Sequence, residues 1–206
     1  MTIATYANLK AKFTDASTNW MARSFSTDET DEFIDLAEGF LNTKLRCREM
    51  ETLTDLAPTA GACTLPTDYL EYKRVVEKAS IRRRLDYITE DTADSFYPSR
   101  QAGPSAHFMI IGGSLYPLPV TTNDIELTYY QKIPALSDAN TTNWLLTRLP
   151  NLYLHATMLM AAEYISDTNM IGREAAFVER HIANLMELDN RSKFGNAGMT
   201  LSGAVW

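Results

Sequence analysis

Apolar residues recur at helical spacing at both ends of this chain and at strand spacing in its middle. Leu9 and Phe13, four apart, predict a helix over Tyr6 to Phe13, and a shorter helical piece follows around Trp20 to Phe25. The next helix announces itself at several levels. Ser26 and Thr27 suit a cap, and Glu29 stands three residues after Ser26, as a capping box requires. Asp28, Glu29, Asp31 and Glu32 crowd the first turn, where the helix dipole favours negative charge. Phe33, Ile34, Leu36, Ala37, Phe40, Leu41 and Leu45 fall on one arc, and Lys44, Arg46 and Arg48 close the helix with cations.

The pattern then changes period. Ala57-Pro58 and Ala60-Gly61 break the helix. Extended pieces follow at Cys63 to Leu65, Tyr69 to Lys78 and Ile81 to Ile88, the last two joined tightly at Lys78 to Ser80 as a hairpin. A short helix runs from about Thr89 to Phe96 and stops before Pro98. Ala106 to Ile111 and Ser114 to Leu118 flank a Gly112-Gly113 turn, and Asp124 to Lys132 alternates Ile125, Leu127 and Tyr129 against Glu126, Thr128 and Tyr130. Ile133-Pro134 ends the β section. Pro150 opens a helix that reaches about Ser166, and a last helix covers about Ile171 to Arg191. The prediction is an α+β chain: mainly a helical bundle, with helices in 1–57 and 141–193. A central β-hairpin or small antiparallel sheet is inserted over 62–134, and an extended tail covers 194–206.

The helix from Leu152 to Ile165 differs from an ordinary surface helix. Leu154, Met158, Ala161 and Ile165 form one stripe, Leu152, Ala156 and Leu159 a second, and Tyr153, Met160 and Tyr164 a third. A helix apolar nearly all round is buried. Either it is central to its own subunit, or one face meets a second subunit, with Tyr153, Met158, Met160 and Tyr164 as the candidate contact residues. The tail poses a similar choice. Leu201, Val205 and Trp206 follow Gly195 and Gly198. Such a terminus is either unstructured, as termini commonly are, or an arm anchored on a partner.

Composition narrows the function. In 206 residues, Asp plus Glu outnumber Lys plus Arg 26 to 19, for a formal charge of −7, which argues against a general nucleic-acid binder. Two cysteines rule out a disulfide scaffold and predict unbridged thiols. Met1 to Lys10 lacks the basic-then-apolar order of a secretion signal, and the apolar run from Leu152 to Ala162 is too short to span a bilayer. No phosphate-binding glycine loop occurs. His107, His155 and His181 lie in separate segments, none paired with another His or Cys at metal-ligand spacing. No catalytic residue, metal or cofactor is therefore expected. The remaining charge feature is Arg82, Arg83 and Arg84, with Lys73, Arg74 and Lys78 nearby. It reads either as a solvated strand edge or as a contact for an acidic partner or phosphate.

Several segments, taken in order, resemble the head-to-tail adaptor (connector) proteins of tailed bacteriophages. They are Phe33-Ile-Asp-Leu-Ala-Glu, Leu45-Arg-Cys-Arg-Glu-Met-Glu, Leu65-Pro-Thr-Asp-Tyr-Leu-Glu and Gly112-Gly-Ser-Leu-Tyr-Pro-Leu-Pro. The run from Leu127 through Gln131-Lys-Ile-Pro-Ala-Leu-Ser to Leu146 follows, then Pro150-Asn-Leu-Tyr-Leu, and Asp189-Asn-Arg-Ser-Lys-Phe-Gly before the tail. The resemblance implies a single adaptor domain over 1–206 and a virion protein of the neck, made in the host cytoplasm. It would form a ring, commonly of twelve copies, beneath the portal. That ring would extend the DNA channel without reading the DNA's sequence and would offer a surface to tail or nozzle proteins, with no membrane involved. It further implies that 194–206 is a portal-docking arm through Phe194, Leu201, Val205 and Trp206, and that the apolar helix is a subunit contact. The competing readings are another head- or tail-completion protein, or a nucleic-acid module built on Arg82 to Arg84.

Overall fold

The computed structural model describes residues 3–194. The chain divides into two units, one built from the residues up to Glu49 and from Ile133 onward, the other from Met50 to Lys132.

In the first unit, α1 (Tyr6–Met21) begins at Thr5, whose side chain accepts from the Asn8 N–H. It runs eight residues beyond its expected end at Phe13. Thr14, Asp15, Ser17 and Thr18 are weak helix formers, but Ala16 and Ser17 continue the buried face. The Ser17 hydroxyl donates to the Thr14 carbonyl, so its burial leaves no donor unmet. α2 (Thr27–Lys44) carries the expected capping box: the Glu29 N–H donates to the Ser26 hydroxyl, and the Ser26 N–H donates to the Glu29 carboxylate. Phe33, Ile34, Ala37 and Leu41 are buried, whereas Leu36, expected on the same arc, is 51% exposed. α4 (Trp144–Arg148) is capped by Asn143, α5 (Pro150–Tyr164) starts with proline in its first turn, and α6 (Thr168–Phe194) follows after Asp167. The Asp167 carboxylate accepts from the N–H groups of Asn169 and Met170.

α5 packs against α1, α2, α4 and α6. Nine of its fifteen residues are buried, from Leu152 through Ala162. Each large apolar side chain buried there contributes roughly 1.5–3 kcal/mol. The same interior holds a polar network. One oxygen of Glu38, on α2, accepts from the Tyr153 hydroxyl at 2.9 Å and from the Leu136 N–H at 2.9 Å. The Asn143 side-chain amide donates to the Tyr153 hydroxyl at 2.7 Å and to the Pro134 carbonyl, while its oxygen accepts from the Leu146 N–H. One turn along α2, Asn42 accepts from the Ile133 N–H. Pro134 disfavours a helical conformation at Ile133, and the stretch from Ile133 to Leu136 lies outside regular secondary structure. Its backbone donors therefore find partners on side chains while Ile133 and Leu136 fill the core.

The second unit is larger in β-structure than the expected hairpin insertion. It is a seven-stranded sheet in the order β1-β7-β3-β4-β5-β6-β2. Its strands are β1 (Glu51–Leu56), β2 (Cys63–Thr64), β3 (Tyr69–Glu77), β4 (Arg83–Tyr87), β5 (His107–Ile111), β6 (Ser114–Leu118) and β7 (Ile125–Gln131), with α3 (Glu90–Phe96) between β4 and β5. β1 is the surprise, because 1–57 was expected to be helical. It pairs antiparallel with β7 from Glu51 opposite Tyr130 to Leu56 opposite Ile125. Leu53 on this strand is 58% exposed while Leu56 is buried, so the apolar alternation that marks a strand is nearly inverted. Gly112 and Gly113 both have positive φ, as the two-residue turn between β5 and β6 demands. The core joins Leu56, Val75, Leu85, Phe108, Leu115, Ile125, Leu127 and Tyr129.

The Glu38 network yields a prediction. Tyr153→Phe keeps the ring and removes one donor, and should lower unfolding stability by about 1–3 kcal/mol in urea with an unchanged m-value. Asn143→Ala should cost more, because it also removes the α4 cap.

Candidate functional site

The four α5 residues singled out for subunit contact fall into two groups. Tyr153 and Met158 are fully buried within their own unit. Burial pushes the Tyr153 hydroxyl well above its usual range, and the Glu38 charge adds to the push. Glu38 is itself raised by burial, against the Leu136 and Tyr153 donors, which pull it down. Met160 is half-buried and Tyr164, at the helix end, is 61% exposed. One side of the Tyr164 ring rests on Phe33, with centroids 5.4 Å apart. Of the four, these two present surface.

A second cluster escaped the sequence reading. His155 stacks on Phe177 at 4.8 Å, on His181 at 5.9 Å and on Trp20 at 6.5 Å. Its Nδ1 lies 2.7 Å from a carboxylate oxygen of Glu174, a residue with no exposed surface. The other Glu174 oxygen accepts two bonds from Arg173, whose guanidinium also lies over the Trp20 ring. Burial alone would raise Glu174, but the His155 and Arg173 hydrogen bonds and charges outweigh it and hold the carboxyl below its usual range. His181 is held down by burial and by the charges of His155 and Arg180. Trp20 remains 47% exposed. The one available sequence signal was a lone polar ring, His155, inside an otherwise apolar helix; its partners lie 135 residues upstream and 19 residues downstream and share no spacing with it.

On the sheet, the basic cluster meets acids contributed by distant strands. Lys73 pairs with Glu51, Lys78 with Asp55, and Arg74 and Arg82 share Glu126. Arg83 and Arg84 are exposed and sit opposite Glu77 and Val76 in the β3–β4 register. Four of the six cations are thus engaged in cross-strand pairs, which shrinks the patch to two. Elsewhere on the sheet, His107 Nδ1 lies 2.6 Å from the Tyr97 hydroxyl, and burial pushes the Cys63 thiol up to about 11. Among the described residues no group of three or more His, Cys, Asp or Glu could hold a metal ion, and no helix is long and apolar enough to cross a membrane. Phe194 ends α6; Leu201, Val205 and Trp206, and with them the expected arm, lie outside the described residues.

These positions expose aromatic rings, Trp20 and Tyr164, on the helical unit, and a basic cluster partly offset by Glu51, Asp55 and Glu126 on the sheet. The family model of the SU10 adaptor protein matches residues 4–200, which takes in both units. The chain belongs to the SU10 adaptor family. It is therefore a structural adaptor protein of a bacteriophage, a virion component that contacts other head or tail proteins. Comparison with curated proteins finds no match. For the SU10 adaptor described here, the exposed rings of Trp20 and Tyr164 both lie on the helical unit.

The His155 cluster sets a pH dependence. A carboxyl held low in the folded state contributes stability that is present above its unfolded value, 4.5, and is lost as pH falls through the folded one. Glu174→Gln should lower stability by about 1–3 kcal/mol at pH 7, and its melting curve should converge on the wild type as pH drops below 4.5. His181, also held low, contributes in the same direction from its ordinary value of 6.5 downward. His181→Gln should flatten the decline in melting temperature between pH 7 and 5.

Proposed function

We propose that this protein is the head-to-tail adaptor that forms a ring, of about twelve copies, beneath the portal of a tailed phage. On this reading it prolongs the DNA channel and carries the attachment surface for tail or nozzle proteins. The observation that carries the proposal is the family match over 4–200, continuous across the helices and the inserted sheet. Two features support it. Apolar surface is left on the subunit at Tyr164, Leu36 and Trp20, and half-exposed aromatics of this kind are typical interface anchors. The chain also carries −7 in formal charge, so a ring of copies would repel rather than grip passing phosphates.

In this assembly Met160 and Tyr164 meet the neighbouring subunit, Tyr153 and Met158 hold the helix that presents them, and 194–206 docks on the portal through Phe194, Leu201, Val205 and Trp206. The nucleic-acid reading built on Arg82 to Arg84 is the weaker one, since Arg82 shares Glu126 with Arg74 and two exposed arginines remain.

The test is reconstitution on purified portal, followed by electron microscopy. Wild type should add a ring of density at the tail-facing end of the portal. Deleting 194–206 should abolish docking while the circular dichroism and melting curve stay unchanged. Tyr164→Asp should leave the subunit folded and weaken ring closure at least about tenfold, the scale of one lost interface anchor. Met158→Asp should instead unfold the isolated subunit, because it buries a lone charge. A portal that gains no density, or a truncated chain that docks as well as the full one, would sink the assignment.

A further inference from the structure

Glu77, the last residue of β3, holds a carboxylate that its surroundings bind but do not neutralise. It is 1% exposed. It accepts from the Ser105 N–H at 3.2 Å, the Thr121 hydroxyl at 2.6 Å and the Asn123 side-chain amide at 3.0 Å. All three donors are neutral. Among the described residues Glu77 forms no ion pair, whereas Glu51, Asp55 and Glu126 on β1 and β7 each have a cation. Arg83 stands opposite Glu77 in the register without bridging to it. A buried carboxylate without a counter-charge is costly, and three donors leave room for about one more at its oxygens.

Glu77 also lines a cavity of about 400 Å³. β4 joins β5 through Asp86 and Tyr87, so its first residues part from that neighbour. The cavity has Arg83 and Ile81 among its lining on the hairpin side, and Gly103, Thr121 and Asn123 on the other. Ile81, in the hairpin connection, is 79% exposed. We propose that this cavity is a receptor for a basic side chain, the lysine of a partner polypeptide, whose alkyl stem lies along Ile81 and whose ammonium neutralises Glu77. A metal ion fits the site poorly, because Glu77 is its one carboxylate and no ligand group of three converges among the described residues. A bound anion would face Glu77 itself. That the partner is another virion protein rests on the adaptor reading; the lysine-binding chemistry does not.

The experiment titrates isotope-labelled full-length protein with N-acetyl-lysine methylamide, using N-acetyl-norleucine methylamide as the uncharged control, and follows backbone amide resonances. The lysine compound should shift Gly103, Thr121 and Asn123 saturably and bind at least about fivefold more tightly than the control, as expected of a charge meeting a desolvated carboxylate. Glu77→Gln should erase that preference. Arg83→Ala, an exposed change, should tighten lysine binding about threefold by removing a like charge. Equal shifts with both compounds, no saturable shift, or an Arg83→Ala variant that binds lysine no better would each overturn the proposal. If Glu77→Gln disturbs the fold, the Arg83→Ala comparison decides alone. The portal reconstitution is independent of all these readouts, so the two ideas fail separately.

Discussion

A helix that is apolar on most of its circumference gets little direction from burial alone, and in this protein one carboxylate oxygen adds it. α5 is apolar on nearly every side, so hydrophobic burial holds it in place without selecting a rotation about its own axis. Glu38 selects it. Its oxygen takes the Tyr153 hydroxyl from α5 and the Leu136 N–H from the returning chain, while Asn143 bonds the same hydroxyl and caps α4. A network of this kind is stabilising when every member is satisfied and costly when one is lost. It also explains why a phage adaptor subunit can leave rings such as Tyr164 in water. The interior that positions them is complete within the single chain.

Much of the fold could be read from the chain because its signals are local. The capping box at Ser26, the paired glycines between β5 and β6, Pro150 at a helix start and the alternation of β7 all act within a few residues. What stayed hidden depended on partners far along the chain. β1 shows Leu53 to solvent and takes its strand character from β7, more than sixty residues later. α1 continues through poor helix formers because Ala16 and Ser17 meet the core. For Tyr153 the sequence left core and contact surface both open, because a stripe on a helical wheel cannot distinguish a neighbouring subunit from a neighbouring helix; its partners Glu38 and Asn143 lie on other elements. The arginine run looked like a patch because Glu126, its main partner, lies on another strand.

The two units manage charge in different ways. The sheet spreads it: Lys73, Lys78, Arg74 and Arg82 alternate with Glu51, Asp55 and Glu126 across three strands, and such partly exposed pairs add little stability each. Their effect is to offset most of the positive charge of this cluster, leaving Arg83 and Arg84 as its exposed cations outside these pairs. The helical unit concentrates charge instead, burying Glu174 beneath a column of rings where it is met by His155 and Arg173. Acid weakens this concentrated arrangement.

The pairing of β1 with β7 has an evolutionary consequence. Polypeptide enters the sheet at Glu51 and leaves it at Gln131, and Glu51 lies directly across from Tyr130. The two ends of an eighty-residue excursion are therefore side by side, at the spacing of a single hydrogen-bonded strand pair. A genetic exchange that replaced the whole excursion would have to match its host at one doorway instead of two separated ones. A lineage could thus trade the sheet for another cassette without rebuilding the helices that carry it.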